Sequence, residues 1–145
     1  MTNLDSASNT AWRAFLTVHM KVIDLIEQEL AQAELPSLEW YDVLFALKEA
    51  PECKLRLHEL AQAVLLSRSN ITRLVDRLEA VGLIRRERCS SDRRGAYAVL
   101  TEEGLAMQKR MWPVYAQGIA KYFACHLNEE EILVLTNVFK RMLAR

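Results

Sequence analysis

The sequence predicts a mainly α-helical fold carrying one small β-wing. Three observations lead there. Only four glycines and three prolines punctuate 145 residues, too few for a chain built from many turns. Long stretches repeat apolar residues at three- and four-residue spacing, the period of a helix with one buried face. After Gly82 the period shortens, and two runs containing Ile, Val and Tyr flank a polar turn, the pattern of a hairpin.

Taken in order, the first element runs from Thr10 to about Ala33, where Trp12, Phe15, Leu16, His19, Val22, Ile23, Ile26 and Leu30 mark a long amphipathic helix. Pro36 lies beyond its end. Ser37 is placed to cap a second helix with Trp40, Val43, Leu44 and Leu47 inward. Pro51 closes that helix, Lys54–Arg56 is a short extended piece, and a third helix covers Leu57–Val64. "LLS" makes a turn, and Ser67 serves as N-cap of a fourth helix that closes at Gly82, a C′ glycine. "LIRRERC" and "AYAVL" are the two strands around "SSDRRG". Thr101 caps a fifth helix to about Ala124, with Glu102 and Glu103 at its positive end and a kink expected near Arg110–Pro113. "NEEE" opens the last helix with an Asn-x-x-Glu capping box.

Between residues 37 and 100 the order helix, helix, helix, hairpin is that of a winged helix-turn-helix. The charges agree. Net charge is zero, yet residues 1–67 balance at −5 and residues 68–94 at +4. All the cations of that second segment are arginine: Arg68, Arg73, Arg77, Arg85, Arg86, Arg88, Arg93 and Arg94. Arginine presents a planar fork that matches phosphate and guanine edges.

In "SRSNITRLVDRLEAVG", Ile71, Leu74, Val75 and Leu78 share one helix face. Ser69, Arg73, Asp76 and Ala80 lie opposite, with Asn70, Thr72 and Arg77 at the flanks. Short hydrogen-bonding side chains near the N-terminus and arginines further along suit a recognition helix in a major groove. The loop "CSSDRRGA" is placed to follow the phosphate backbone and dip into the adjacent minor groove. Arginine in such a loop is drawn by the groove's negative potential, and Asp92, which would repel DNA if it faced it, is expected to hold Arg94 by a hydrogen-bonded pair.

Leu66 to Gly104, "LSRSNITRLVDRLEAVGLIRRERCSSDRRGAYAVLTEEG", resembles the recognition helix, wing and following helix start of the MarR family of transcriptional regulators. The resemblance rests on "TRLVDRLE", "GLI.R", "DRR" and "LTEEG", and the flanking helices match that family in size and order. It implies a homodimer on a pseudo-palindromic double-stranded operator. By that match Arg73, Ser69, Asn70 and Thr72 fall at major-groove positions, Arg77 at a backbone position, and Arg94, partnered by Asp92, in the minor groove. Ser67, Arg68 and Arg93 complete the candidate DNA-binding set. The resemblance further implies a repressor that lets go when a small, often phenolic, effector binds or a cysteine is oxidised. Trp12, Phe15, His19, Trp40, Tyr41, Met111 and Tyr115 are the candidate effector contacts, an aromatic slot with a few polar tips. Cys89 and Cys125 are the candidate redox positions.

The expected organisation is a helical dimerisation lobe, residues 1–36 and 102–145, around a DNA-binding lobe, 37–101. The dimer also follows from the residues. The first, fifth and last helices each carry an apolar stripe that a small winged-helix core cannot cover alone.

Other classes fare worse. An enzyme needs a converging nucleophile and base or a phosphate-binding glycine loop, and the sequence offers neither, so no catalytic residue and no cofactor is assigned. The cysteines (Cys53, Cys89, Cys125) and histidines (His19, His58, His126) are scattered, and no metal site is expected. No apolar run nears the roughly 18 residues of a membrane span, and the N-terminus lacks a secretory pattern, so the expected setting is the reduced cytoplasm. A winged helix that binds protein in place of DNA is the remaining rival, and it has no need of eight arginines.

Overall fold

The computed structural model describes residues 3–66, 70–88 and 95–144. Among them the helices are α1 (Ser6–Gln32), α2 (Leu38–Glu49), α3 (Leu57–Ala63), α4 (Ile71–Ala80), α5 (Glu102–Tyr122) and α6 (Glu129–Leu143). The strands are β1 (Lys54–Arg56), β2 (Ile84–Arg88) and β3 (Ala96–Leu100). None of these helices is long and apolar enough to cross a membrane.

α1 begins earlier than its apolar period suggests. The Asp5 carboxylate accepts the Ser8 N–H at 2.6 Å, which caps the helix before the first core-facing residue; the same bond holds the Asp5 carboxyl below the usual carboxylate range. The helix ends where the Leu35 N–H donates to the Leu30 carbonyl and Glu34 N–H to that of Ala31, with Glu34 at φ 59°. That left-handed place is one glycine usually takes. Ser37 is the N-cap of α2, as expected, but its backbone carbonyl does the work, and its hydroxyl makes no cap bond. α5 runs as one helix through Pro113, so the proline does not divide it. The Asn128–Glu131 capping box is formed in both directions, at 2.8 and 3.0 Å.

The wing is larger than a hairpin. β1 pairs antiparallel with β3, giving a three-stranded sheet in the order β1-β3-β2. In register, Leu55 lies opposite Ala98, Ile84 opposite Leu100, and Arg86 opposite Ala98. These residues share one sheet face. Ile84, Ala98 and Leu100 join Val43, Leu44, Leu47, Leu60, Val64 and the inner side of α4 in one apolar core.

The chain divides into two compact units, residues 1–29 with 115–145, and residues 30–114. The second carries the end of α1 and more than half of α5, residues 102–114, in addition to 37–101. In the first unit Gly118 lets α5 approach α1, for a Cβ there would sit 2.9 Å from Ile26 Cγ1. The Tyr122 hydroxyl donates to Glu29 at 2.7 Å, which draws the Glu29 carboxyl down, and Phe15 packs on Phe139 at 6.0 Å.

In the second unit, α4 ends in a double turn. The Gly82 N–H donates to the Glu79 carbonyl and Leu83 N–H to that of Leu78, both at 3.0 Å, with Gly82 at φ 82°. The start of α5 is seated on this turn. Thr101 Oγ1 donates to the Gly82 carbonyl at 2.7 Å and accepts the Gly104 N–H at 3.0 Å. A Cβ on Gly104 would lie 2.1 Å from the Leu83 carbonyl oxygen. Backbone cannot yield there cheaply, so Gly104→Ala is expected to cost about 1–3 kcal/mol of stability, read from urea unfolding of the purified chain. An unchanged midpoint would show that α5 is not seated on the turn.

Candidate nucleic-acid interface

α4 separates its residues cleanly. Ile71, Leu74, Val75 and Leu78 are buried, while Thr72, Arg73, Asp76 and Arg77 are exposed. Asn70 is the N-cap residue, with no side-chain cap bond, and it too is exposed. No ion pair among the described residues holds Arg73 or Arg77. The outward side of the helix thus offers an amide, a hydroxyl and two guanidinium groups. Ser67, Arg68 and Ser69, and the loop with Cys89, Asp92, Arg93 and Arg94, lie outside the described residues, as does the cap expected of Ser67.

Two features of this surface have no counterpart in the sequence reading. The first is a brace between wing and helix. Arg86, on β2, donates to Asp76 at 2.6 Å and to Glu79, both on α4. These bonds, Asp76 first, hold the Arg86 guanidinium firmly charged. Asp76 was placed on the outward face, and its charge is answered from within the lobe. The available signal was the pair Asp76 and Glu79, three residues apart and so on one helix face, followed by a strand rich in arginine.

The second is the turn between α3 and α4. Oδ2 of Asp42, on α2, accepts the backbone N–H of Leu65 at 2.7 Å and of Leu66 at 2.8 Å. Burial raises the Asp42 carboxyl's pKa, while these two bonds pull it down.

On the other sheet face, Glu87 accepts from Lys54 and from Arg85, each at 3.1 Å. Lys54 and Arg56 stand over the Tyr97 ring at 4.7 and 5.7 Å. The Lys54 bond is the larger cause of the lowered Glu87 carboxyl.

Residues 35–95 match the model of the MarR family. The chain is 30% identical to AbsC, a MarR family transcriptional regulator from Streptomyces coelicolor, covering 99% of this chain and 97% of that one with a TM-score of 0.87. The chain belongs to the MarR family. A second MarR family regulator from Streptomyces coelicolor, solved in complex with DNA, is 29% identical with a TM-score of 0.88, over 99% of this chain and 89% of that one. The transcriptional regulator MhqR of Bacillus subtilis is 33% identical over 86 residues, 59% of each chain; the match spans little more than half of that relative. MarR family members are transcriptional regulators and not enzymes.

In this MarR family chain the candidate effector residues fall on both units. Trp12, Phe15, His19 and Tyr115 belong to the first, and Trp40, Tyr41 and Met111 to the second. Trp12 and Phe15 are adjacent rings at 5.9 Å. Tyr41 and Met111 are buried, and Trp40 packs at the edge of the winged-helix core. Tyr41 stacks on Phe45 at 5.9 Å and on Trp112 at 6.2 Å, and its hydroxyl accepts from Gln108 Nε2 at 3.1 Å. Gln108, absent from the sequence-derived set, is 3% exposed, and its Oε1 has no hydrogen-bond partner among the described residues. Cys125 is exposed and donates to the Lys121 carbonyl at 3.1 Å.

The brace yields a test. Arg86→Ala should lower stability by roughly 1–2 kcal/mol at low salt, an amount between an isolated surface pair and a forked, partly buried one. In an Asp76→Ala, Glu79→Ala background the same change should cost much less. Urea midpoints of the four proteins decide it, and simple additivity would mean the brace carries no energy.

Proposed function

We propose that the protein is a sequence-specific, double-stranded-DNA-binding transcriptional repressor that acts in the cytoplasm as a homodimer and is released by a small aromatic effector. The observation that carries the DNA reading is the outward side of α4. Arg73 and Arg77 stand exposed there, whereas Arg85 and Arg86 are engaged by carboxylates of the same lobe. Guanidinium groups left unanswered on a helix with short polar neighbours are suited to bases and phosphates. By the resemblance, Ser67, Arg68, Ser69 and Asn70 extend that set at its N-terminal end, and Asp92, Arg93 and Arg94 serve the wing.

The dimer reading assigns residues 1–36 and 102–145 to dimerisation and 37–101 to DNA binding. What supports it is uncovered apolar surface in the first unit. α6 has no buried residue, and Leu133, Val134, Met142 and Leu143 are 64%, 60%, 65% and 83% exposed. A second copy is the simplest cover for so much exposed apolar surface. The effector reading is supported by Tyr41 and Gln108, a buried polar pair in an apolar setting with one oxygen lacking a donor. An effector bearing an O–H or N–H group suits that oxygen.

Selection of bound duplexes from a random pool tests the whole. The expected product is a pseudo-palindrome with half-sites about one helical turn apart, bound by a dimer in light scattering. Arg73→Ala should cost about 1–3 kcal/mol and relax preference at one position per half-site. Arg77→Ala should weaken all sequences alike and make the salt dependence shallower. Failure to enrich any duplex would sink the DNA reading, and a monomer at micromolar concentration the dimer.

A further inference from the structure

Asp42 lies outside the surface that the proposed function uses, on a helix whose inner side belongs to the core. Its carboxylate nevertheless reaches 23 and 24 residues along the chain, to the amides of Leu65 and Leu66. Those amides lie in neither helix. α3 closes with the Val64 N–H on the Leu60 carbonyl at 3.1 Å, and α4 is formed from Ile71. Apolar burial does not hold the turn in place at Leu65, which is 86% exposed. Two N–H groups that converge on one oxygen fix the direction of both peptide planes, because each must point at the same atom. α2 therefore steers the chain as it leaves α3, immediately before Ser67, Arg68, Ser69 and Asn70.

A negative charge in this lobe is otherwise unwelcome. It is half-buried, which costs unless the group is hydrogen-bonded, and it sits in a lobe proposed to meet a polyanion. The geometry points to Asp42 as a positioning residue for DNA recognition: its carboxylate sets the path of the turn that leaves α3 toward α4, whose Arg73 the proposed function assigns to base edges. This rests on the DNA-binding reading and adds a residue that touches no DNA. Its signature is selective. Loss of the acceptor should harm the operator, which requires register, far more than a scrambled duplex, which requires only charge.

The test compares wild type, Asp42→Asn and Asp42→Ala on a selected operator and on a scrambled duplex at one salt concentration. Amide exchange of residues 65 and 66 is followed in the free proteins. Asparagine keeps an oxygen at the right place and loses the charge; alanine loses both. Asp42→Asn should stay within about threefold of wild type on both duplexes. Asp42→Ala should lose about 10- to 100-fold on the operator and less than about threefold on the scrambled duplex, with faster exchange at both amides, on the scale expected for losing two charge-assisted bonds. Equal loss on both duplexes, unchanged operator affinity, or asparagine as damaging as alanine would each overturn it. Tighter binding by both variants would show Asp42 to be only a repelling charge. If wild type selects no duplex, it is the DNA reading that fails, and the exchange measurement still reports whether Asp42 holds the turn.

Discussion

The carbonyl oxygen of Leu83 is where the winged-helix unit is tied together. The Leu83 N–H closes α4 on the Leu78 carbonyl, and its carbonyl accepts the Thr101 N–H at 3.2 Å. The same oxygen leaves no room for a Cβ on Gly104. The end of α4, the start of β2 and the N-terminus of α5 thus share one turn. Gly82 makes this possible, since its left-handed backbone reverses the chain within two residues of the helix. Shift that turn and the helix, the strand and the next helix must move with it.

Charge in this unit is allotted before any ligand arrives. The arginines between residues 68 and 94 are equivalent in the sequence, but the fold separates them. Arg86 is committed to Asp76 and Glu79, and Arg85 to Glu87. Arg73 and Arg77, one turn apart on α4, are left facing outward. A net count overstates what is available for binding, because pairs within the lobe cancel at short range while unpaired guanidinium groups project a field. The carboxylates of Asp76 and Glu79 do more than dilute positive charge. They hold the wing to the helix it flanks, and a binding surface made of two elements requires that the two keep their spacing.

Local and periodic features were legible in the sequence, and distant pairings were not. The buried face of α4, the closing role of Gly82, the Thr101 cap and the Asn128–Glu131 box all followed from residues a few positions apart. α1 was placed too late because Trp12 starts the apolar period, whereas the cap chemistry starts at Asp5. Lys54–Arg56 read as extended, but nothing in three residues reveals a partner 41 to 45 positions away at Tyr97 to Val99. Asp42 and Arg86 were missed for the same reason. Each acts on a segment that the sequence alone does not bring near: the Asp76–Glu79 spacing offers a pair of acceptors without saying which arginine fills it, and Asp42 has no spacing signature. Asp42 contacts the turn before α4 and Arg86 contacts α4 itself, and neither belongs to the outward side of that helix.

Gln108 bears on what such a unit gives up in stability. A buried amide with one oxygen unpartnered costs about 1–3 kcal/mol. An unbranched apolar side chain of similar length, such as the Met111 that is fully buried one turn later on α5, would avoid that cost. The glutamine's side-chain hydrogen bond among the described residues is to Tyr41, whose ring is also held by Phe45 and Trp112. Within a lobe whose other buried residues are apolar, a polar group that weakens the fold marks a place shaped by something besides the fold. In the proposed reading that something is an effector with a hydrogen to donate. The cost would then be relieved on binding, and the donated hydrogen bond would add to the effector's affinity by about what the orphan oxygen now takes from stability.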